Sequence, residues 1–384
     1  MVDALIPPSD FVGLDGIAHF SMGGESPMLR SHLEALQQFC IDKAQGEPAR
    51  ALQHAVLNDA RARCASLLKV PADDITFLPS ATDGINVLRY GLHWQAGDNV
   101  VVADVEFPSD ILPWTTLADQ GVEVRVVRHR DWVIEEADVL AQVDARTRVV
   151  AISQVSMYTG QHMDVAALSE GVRAAGALFL VDATHAAGVV PVDARHADVL
   201  VCSCYKWLLA THGTALFYCN PDRLASLSPP FLGWASVATS GGWQSPLDFT
   251  LPTNADRFLP ANPSYISLYV LNNALQRLLE IGESATHAHT LTLGRMIREG
   301  LEPFGLEMMT PTADHRRAGN TCFMIENVES LRAALEREGV SVWGAYGQFG
   351  RVRISAHVHN SSDDVERLLS AMRHYFAEHP PKRA

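Results

Sequence analysis

Several residue types are scarce in this 384-residue chain, and each scarcity excludes a class of protein. Only four of the 30 basic residues are lysines, and 44 acidic residues leave a net charge of −14. Such an acidic balance does not suit a non-specific binder of nucleic acid or of anionic membranes, which needs a basic face. No apolar run approaches the roughly 20 residues that span a bilayer. We therefore expect no nucleic-acid partner and no membrane attachment.

Cysteine is also sparse, and its six positions have no regular spacing. In a chain of this length they predict free thiols in a reducing cytoplasm rather than a disulfide framework. The segment MVDALIPPSDFVGLDG lacks the basic and apolar regions of a signal peptide. The histidines show no zinc spacing, so we expect no metal site. With 47% hydrophobic residues, the chain predicts a well-packed cytoplasmic protein.

Short β-branched runs alternate with helical patterns through the first two thirds of the chain. This alternation is typical of an α/β domain whose sheet is mostly parallel and buried on both faces. The seven runs cover 75–78, 99–103, 122–127, 147–153, 178–183, 198–203 and 214–219.

A helix pattern precedes these strands at residues 31–68, and a proline-rich segment with the pair Gly241-Gly242 follows them. The remaining chain predicts a small α+β lobe. Its elements are a helix over 268–282, strands near 321–326 and 351–355, and helices near 329–338 and 362–376. We place a large domain at 15–250, and a small domain at 251–384 together with residues 1–14.

The ends of the fifth and sixth strands carry the residues with the most chemistry. The run LFLVDATH ends in Asp182 and His185, and the next run ends in Ser203, Tyr205 and Lys206. Ligands of open α/β sheets bind outside the carboxyl ends of the strands, so these side chains face one crevice. A lysine for a Schiff base and a carboxylate for a pyridine nitrogen are what pyridoxal phosphate requires. The alternative is a salt bridge between two strand ends.

Other strand ends add to this interpretation. The hydroxyl-rich turn at 80–86 opens a helix, whose free backbone amides and dipole suit a phosphate group. Ordinary N-capping by its hydroxyl groups is the alternative. Phe107 follows another strand, where its ring can stack on a planar cofactor or belong to the core.

In combination, these motifs resemble the fold-type I pyridoxal-phosphate enzymes of the class V aminotransferase family, which includes cysteine desulfurases, kynureninases and related lyases and epimerases. The resemblance runs from about Ala18 to Leu369. It implies an α/β fold with a seven-stranded, mostly parallel sheet sandwiched by helices, plus a small C-terminal α+β domain. The motifs, in family order, are SATDGIN, EFPSD, YTGQ, DATH, SCYK, GW, ANPS and GRVRIS.

The resemblance also implies catalytic roles for individual residues. Lys206 forms the Schiff base with pyridoxal 5′-phosphate, Asp182 pairs with the pyridine nitrogen, and His185 lies near the ring hydroxyl. Arg353 holds the carboxylate of an amino-acid substrate bidentately.

Further motif residues are assigned by the same resemblance to cofactor binding. Asn262 or Ser264 is contributed by the neighbouring subunit of a homodimer. Within the same subunit, Phe107 is assigned to stack on the cofactor ring, and four residues are assigned to its phosphate: Ala81, Thr82, Ser203 and Tyr205. Asp110 and Trp234 are assigned to cofactor binding without a stated contact.

The subfamily is indicated by what the chain has and lacks. The loop at 339–350 has no cysteine, which argues against desulfurase chemistry, and Cys322 lies in an apolar run typical of a buried thiol. The phrases FPSD and YTGQH resemble kynureninase, whereas Ser203 stands three residues before the lysine, as in the broader family. We expect cleavage of a β-substituent, in the manner of kynureninase or a C–S lyase. The alternatives are a class V aminotransferase or epimerase and, more remotely, a non-enzymatic binder of the cofactor.

Overall fold

A computed structural model describes residues 1–239, 248–344 and 350–380 of the chain, so Gly241-Gly242 lies outside the described residues. The strands are β1 (Ala18–Phe20), β2 (Ile75–Leu78), β3 (Asn99–Ala103), β4 (Glu123–Val127), β5 (Thr147–Ser153), β6 (Leu178–Asp182), β7 (Val199–Ser203), β8 (Ala215–Cys219), β9 (Ala238–Thr239), β10 (Phe249–Thr250), β11 (Glu307–Met308), β12 (Asn320–Met324), β13 (Val340–Val342) and β14 (Arg351–Ser355). The helices are α1 (Ser31–Lys43), α2 (Ala49–Leu68), α3 (Ala81–Gly91), α4 (Pro108–Thr115), α5 (Glu136–Leu140), α6 (Val165–Ala174), α7 (Tyr265–Ile281), α8 (Glu283–Leu301), α9 (Val328–Arg337) and α10 (Ser362–Glu378).

The seven predicted runs form one sheet, in the order β2-β8-β7-β6-β5-β3-β4. The strands from β7 to β4 in this order are parallel, and β8 is antiparallel to both of its neighbours. The predicted α/β fold with a mostly parallel seven-stranded sheet is thus confirmed. Because parallel strands end on the same edge, the segments after β5, β6 and β7 lie side by side.

Alternate residues of each strand enter two separate cores. Val101 and Ala103 of β3 pack in the core that includes α2 and α7, whereas Val100 and Val102 pack with Trp114 of α4 on the opposite face. Since both faces are covered, nearly every residue of the central strands is apolar, which is why the runs were visible in the sequence.

The helix expected over residues 31–68 is in fact two helices. The chain turns between α1 and α2 at Gly46, whose φ of +71° is easy for glycine, and Pro48 directly precedes α2.

The small domain has its own core. Strand β12 lies between β11 and β14 in an antiparallel sheet, β1 pairs with β13, and α8, α9 and α10 cover these strands. The predicted strands and helices of this lobe are confirmed. Helix α7 packs on α1 and α2 in the large-domain core, and the division near residue 250 stays a prediction. Residues 1–14 contact both cores: Ile6 and Phe11 pack in the large-domain core, whereas Val2 hydrogen-bonds with Ser362 and packs on the core of the small domain.

None of the helices in the described parts of the chain is both long and apolar enough to cross a bilayer.

Candidate active site

A cavity of about 290 Å³ opens at the carboxyl edge of the sheet. Residues that follow β2, β3, β5, β6 and β7 line it, together with the first turn of α3. Its lining residues are Ser80, Ala81, Thr82, Ile85, Phe107, Ser109, Ser153, Val155, Met157, Asp182, Thr184, His185, Ser203, Tyr205 and Lys206. The structure therefore brings eight of the predicted site residues to one cavity.

Lys206 is buried beside an uncharged histidine. Its Nζ lies 3.3 Å from Nε2 of His185, and both side chains are almost entirely shielded from solvent. Burial lowers the pKa of Lys206 from 10.5 to about 8, and the charge of Arg353 acts in the same direction. A substantial fraction of the amine is consequently neutral near physiological pH, as a nucleophile must be.

The second nitrogen of His185 receives two hydrogen bonds. Nε1 of Trp207 and Nδ2 of Asn320 each lie 3.2 Å from Nδ1 of His185. Ser355 Oγ donates to Asn320 Oδ1 at 2.8 Å, which turns the amide nitrogen of Asn320 toward the ring. Indole nitrogen is a donor only, so Nδ1 accepts and the neutral ring carries its proton on Nε2.

The pKa of His185 agrees with this tautomer. Burial, followed by the charges of Lys206, Arg353 and Arg351, lowers it well below its usual range. His185 thus presents an N–H, rather than a second positive charge, to Lys206.

Three carboxyl groups lie together behind the lysine. Asp182 ends β6, and its Oδ1 accepts a hydrogen bond of 2.7 Å from the backbone N–H of Thr184. Asp110 is in hydrogen-bonding contact with Asp182. Burial and the charges of Asp182 and Glu106 raise the pKa of Asp110 well above its usual range. Asp110 is therefore protonated, and its O–H donates a hydrogen bond to the Asp182 carboxylate.

Glu106 completes this group. Its carboxyl accepts hydrogen bonds from the backbone N–H and the hydroxyl of Ser153, and burial raises its pKa to about 7. Burial raises the pKa of Asp182 as well, whereas hydrogen bonds from Thr184 and Asp110 and the charge of Lys206 lower it, so these partners favour the charged form of its carboxylate.

The opposite end of the cavity is suited to an anion. Helix α3 begins there, and the N-cap hydroxyl of Ser80 accepts the N–H of Asp83. Thr82 Oγ1 donates to Ser109 Oγ at 2.9 Å, which places two hydroxyl groups beside the helix N-terminus. Ser203 faces the same space from the end of β7. Helix dipole, amides and hydroxyls together favour a phosphate.

Aromatic rings form the walls between these two ends. The centroid of the Phe107 ring lies 5.7 Å from Nζ of Lys206, and that of Tyr205 lies 5.4 Å from it. Tyr205 stacks on His212 with the ring centroids 3.9 Å apart. A flat heterocycle between the amine and Phe107 would therefore be bounded by an aromatic face.

This donor set fits pyridoxal 5′-phosphate on structural grounds. The cavity offers a buried amine with a lowered pKa, a buried carboxylate for a pyridinium N–H and a helix N-terminus for a phosphate. Asp182 is buried and lines the cavity, so a pyridinium N–H bound there would add a donor to those from Thr184 and Asp110.

Arg353 reaches the site from the small domain. Its Nη1 donates to the carbonyl of Met157, a cavity residue, at 3.1 Å. Gly23 lies against the guanidinium, since a Cβ at that position would approach Arg353 Nε to 2.9 Å. Arg353 does not itself line the cavity of the described chain, although it belongs to the layer directly behind it.

Three predicted cofactor residues lie away from the cavity of their own chain. Trp234 is 45% exposed, Asn262 Oδ1 accepts a hydrogen bond from Arg50, and the hydroxyl of Ser264 contacts that of Ser267. Their roles stay predictions that depend on a second subunit.

Other site residues were not singled out from the sequence. Ser153 ends β5 and Thr184 follows β6, so the carboxyl-edge rule that located Asp182 also applies to them. Glu106 stands next to Phe107 in the chain. Asn320 comes from β12 of the small domain, where no local pattern pointed to His185.

The cysteine positions agree with the sequence interpretation. Cys322 is fully buried opposite Arg353 on β14, and burial raises the pKa of its thiol. Of the loop at 339–350, residues 345–349 lie outside the described residues, and the loop contains no cysteine.

The chain is similar to known proteins over most of its length. The family model "Aminotransferase class-V" matches residues 26–368. An uncharacterized aminotransferase from Schizosaccharomyces pombe is 26% identical, over 94% of this chain and 92% of its own length. A probable cysteine desulfurase from Methanothermobacter thermautotrophicus is 32% identical over 55% of this chain and 54% of its own.

A solved structure of the cystine C–S lyase C-DES, in complex with its product cysteine persulfide, has the same fold. Its TM-score is 0.85 at 21% identity, and the alignment covers 94% of this chain and 98% of that one.

Proposed function

This chain belongs to the aminotransferase class-V family and is a pyridoxal-phosphate-dependent enzyme, and from this premise we propose that it cleaves a substituent from Cβ of an α-amino acid. The observation that carries the proposal is the buried pair of Lys206 and His185, two groups that can each hold or release a proton 3.3 Å apart. The C–S lyase among its structural neighbours supports this reaction class.

Each residue of the site has a role in this proposal. Lys206 would hold the cofactor, the pair of Asp182 and Asp110 would keep its pyridine nitrogen protonated, and the first turn of α3 with Ser203 would bind its phosphate. When bound, pyridoxal phosphate supplies an electron sink for the bonds at Cα. Arg353 would bind the carboxylate of the substrate.

Proton transfer would then fall to the amine and the imidazole. Lys206, with a pKa of about 8, can take a proton from Cα and return it. His185 carries its proton on Nε2, 3.3 Å from the amine, and can orient Lys206 or supply a proton to the departing group. A neutral histidine avoids charge repulsion with the lysine when the latter becomes protonated.

Chemistry by a cysteine persulfide on the protein, as in a desulfurase, is not part of this proposal. The loop at 339–350 has no cysteine and Cys322 is a buried, protonated thiol. The sulfur or other leaving group would depart with the product, and the reaction product of the C–S lyase C-DES is likewise a free persulfide, cysteine persulfide.

We further propose that the enzyme is a homodimer in a reducing compartment. Phe231, Leu232 and Trp234 are each at least 45% exposed and form part of one surface segment. Burial of such residues against a second subunit would stabilise a dimer. Asn262 and Ser264, which lie outside their own chain's cavity, would then reach the partner's site.

Transamination is the second candidate, and the relative described as an aminotransferase favours it. To separate the two, the loaded enzyme is mixed with a panel of amino acids with and without a keto-acid acceptor, and products are followed by mass spectrometry. A side-chain-shortened product that forms without acceptor supports cleavage. Turnover that requires the acceptor would reject cleavage in favour of transamination. Lys206→Ala serves as the matched inactive control.

A further inference from the structure

The small domain presents a second arginine beside Arg353. Arg351 and Arg353 are two residues apart on β14, so their side chains share one face of the strand, with Cα atoms roughly 7 Å apart. Nη1 of Arg351 donates to the carbonyl of Met157 at 3.0 Å, and Nη1 of Arg353 donates to the same oxygen at 3.1 Å. Since Met157 lines the cavity, both guanidinium groups reach the same part of its wall.

Arg351 is a buried cation that has no counter-ion among the described residues. Only 1% of the residue is exposed, and Nη2 is buried with no hydrogen-bond partner in the described parts of the chain. Across residues 1–239, 248–344 and 350–380, no carboxylate lies within ion-pairing distance of it. The nearby thiol of Cys322 has a raised pKa and stays neutral.

The surroundings hold this cation in place but do not neutralise it. The guanidinium carbon lies 4.0 Å from the centroid of the Tyr158 ring, a cation–π contact. Arginine keeps its charge in proteins, so the remaining desolvation cost is unbalanced until an anion is present. By contrast, Arg61, which is also buried, has a carboxylate partner in Asp256 at 2.5 Å.

The charge of Arg351 acts on the catalytic region. It contributes to the lowered pKa of His185, whose Nε2 lies 3.3 Å from Lys206. The barrier between Arg351 and the cavity includes Met157, whose flexible, unbranched side chain can move aside for a ligand.

We propose that Arg351 binds an oxyanion on the side chain of the substrate, so that the substrate is an α-amino acid with an acidic side chain, a carboxylate or a sulfinate. This inference rests on the proposed function, in which Arg353 binds the α-carboxylate. A diacid of short chain would engage both arginines, and the unpaired Nη2 of Arg351 would gain a charge-assisted hydrogen bond.

The test uses calorimetric binding of two matched pairs of carboxylates to the cofactor-loaded enzyme, succinate against propionate and glutarate against butyrate. In at least one of the two pairs, wild type should bind the diacid roughly tenfold more tightly than the monoacid of the same chain length. Arg351→Met should remove this preference and leave monoacid binding unchanged, whereas Arg353→Lys should weaken both. Arg351→Lys keeps the charge and should retain part of the preference.

Thermal unfolding of the same variants distinguishes anion binding by Arg351 from a purely structural role, in which its loss would lower the melting temperature. Arg351→Met removes an unbalanced buried charge and should keep or raise the melting temperature. Arg61→Met, the matched control, leaves Asp256 unpaired and should lower it. No diacid preference in wild type, or a preference that persists in Arg351→Met, would overturn the proposal. Failure of the proposed function would appear separately, as absent amino-acid turnover with diacid binding intact.

Discussion

The lowered pKa of Lys206 has a consequence for stability that can be measured without substrate. The folded cofactor-free protein releases the lysine proton at about pH 8, whereas the unfolded chain holds it to about pH 10.5. Between these values the unfolded state binds more protons, so the free energy of unfolding rises with pH in this window. The difference in pKa corresponds to about 3 kcal/mol.

Lys206→Met removes this titration while it keeps most of the side-chain volume. At pH 7 the variant should be more stable than wild type, because it buries no charge. Its advantage should shrink by about 3 kcal/mol as the pH approaches 10.5, since only wild type gains from the loss of the proton. The assay is denaturant unfolding of both proteins across this range. Contributions from groups remote from Lys206 cancel in the difference, whereas those of its charge-coupled neighbours Asp110, Asp182 and His185 do not.

A second readout follows the amine directly. Competitive acylation with a small electrophile, analysed by peptide mass spectrometry, gives a titration midpoint for each lysine, and four lysines make the map simple. Lys206 should react with a midpoint near pH 8, with exposed Lys43 as an internal reference. A stability difference that is flat with pH, together with a Lys206 midpoint near 10.5, would refute the account of this amine.

Three further predictions concern the groups around the lysine and the subunit contact. Asp182→Ala should keep the circular dichroism spectrum of wild type and lose activity by roughly a hundredfold or more. Asp110→Asn retains a hydrogen-bond donor and should lose far less activity. Equal losses of activity in the two variants would contradict a protonated Asp110. Asn320→Ala should reduce kcat by about tenfold because Nδ1 of His185 loses a hydrogen-bond donor. Thr321→Ala, one residue further along β12, is the control. Equal kcat values for Asn320→Ala and wild type would show that Asn320 has no role in the site. Sedimentation should show a dimer, and mixed subunits of inactive Lys206→Ala and Asn262→Ala should regain activity; a fully active monomer would reject the shared site.

Much of the large domain was predictable from the sequence because its strands are specified by interactions among residues that are close together in the chain. Buried parallel strands require continuous apolar runs, and the carboxyl-edge rule then located Asp182, His185 and Lys206 without further information. The hydroxyl-rich turn before α3 was visible for the same reason, since it needs only adjacent residues, and its assignment to a phosphate stays a prediction.

The contributions of the small domain were harder to predict. The pairing register of β12 and β14 and the contact of this domain with the large domain place Asn320 beside His185 and Arg351 beside Met157. Both depend on residues that are far apart in the chain. The packing of α7 was hard to predict for a similar reason, because it contacts α1 and α2, which lie far earlier in the sequence.

The central claim, that catalysis depends on a cofactor held by Lys206, is tested most directly by reductive labelling. The purified, cofactor-loaded protein is treated with borohydride, digested and mapped by mass spectrometry. The account predicts bleaching of the visible band and a single pyridoxyl modification on the peptide that contains Lys206, absent from Lys206→Ala. Modification of Lys43 or Lys69 instead, or an unchanged visible band in Lys206→Ala, would contradict it.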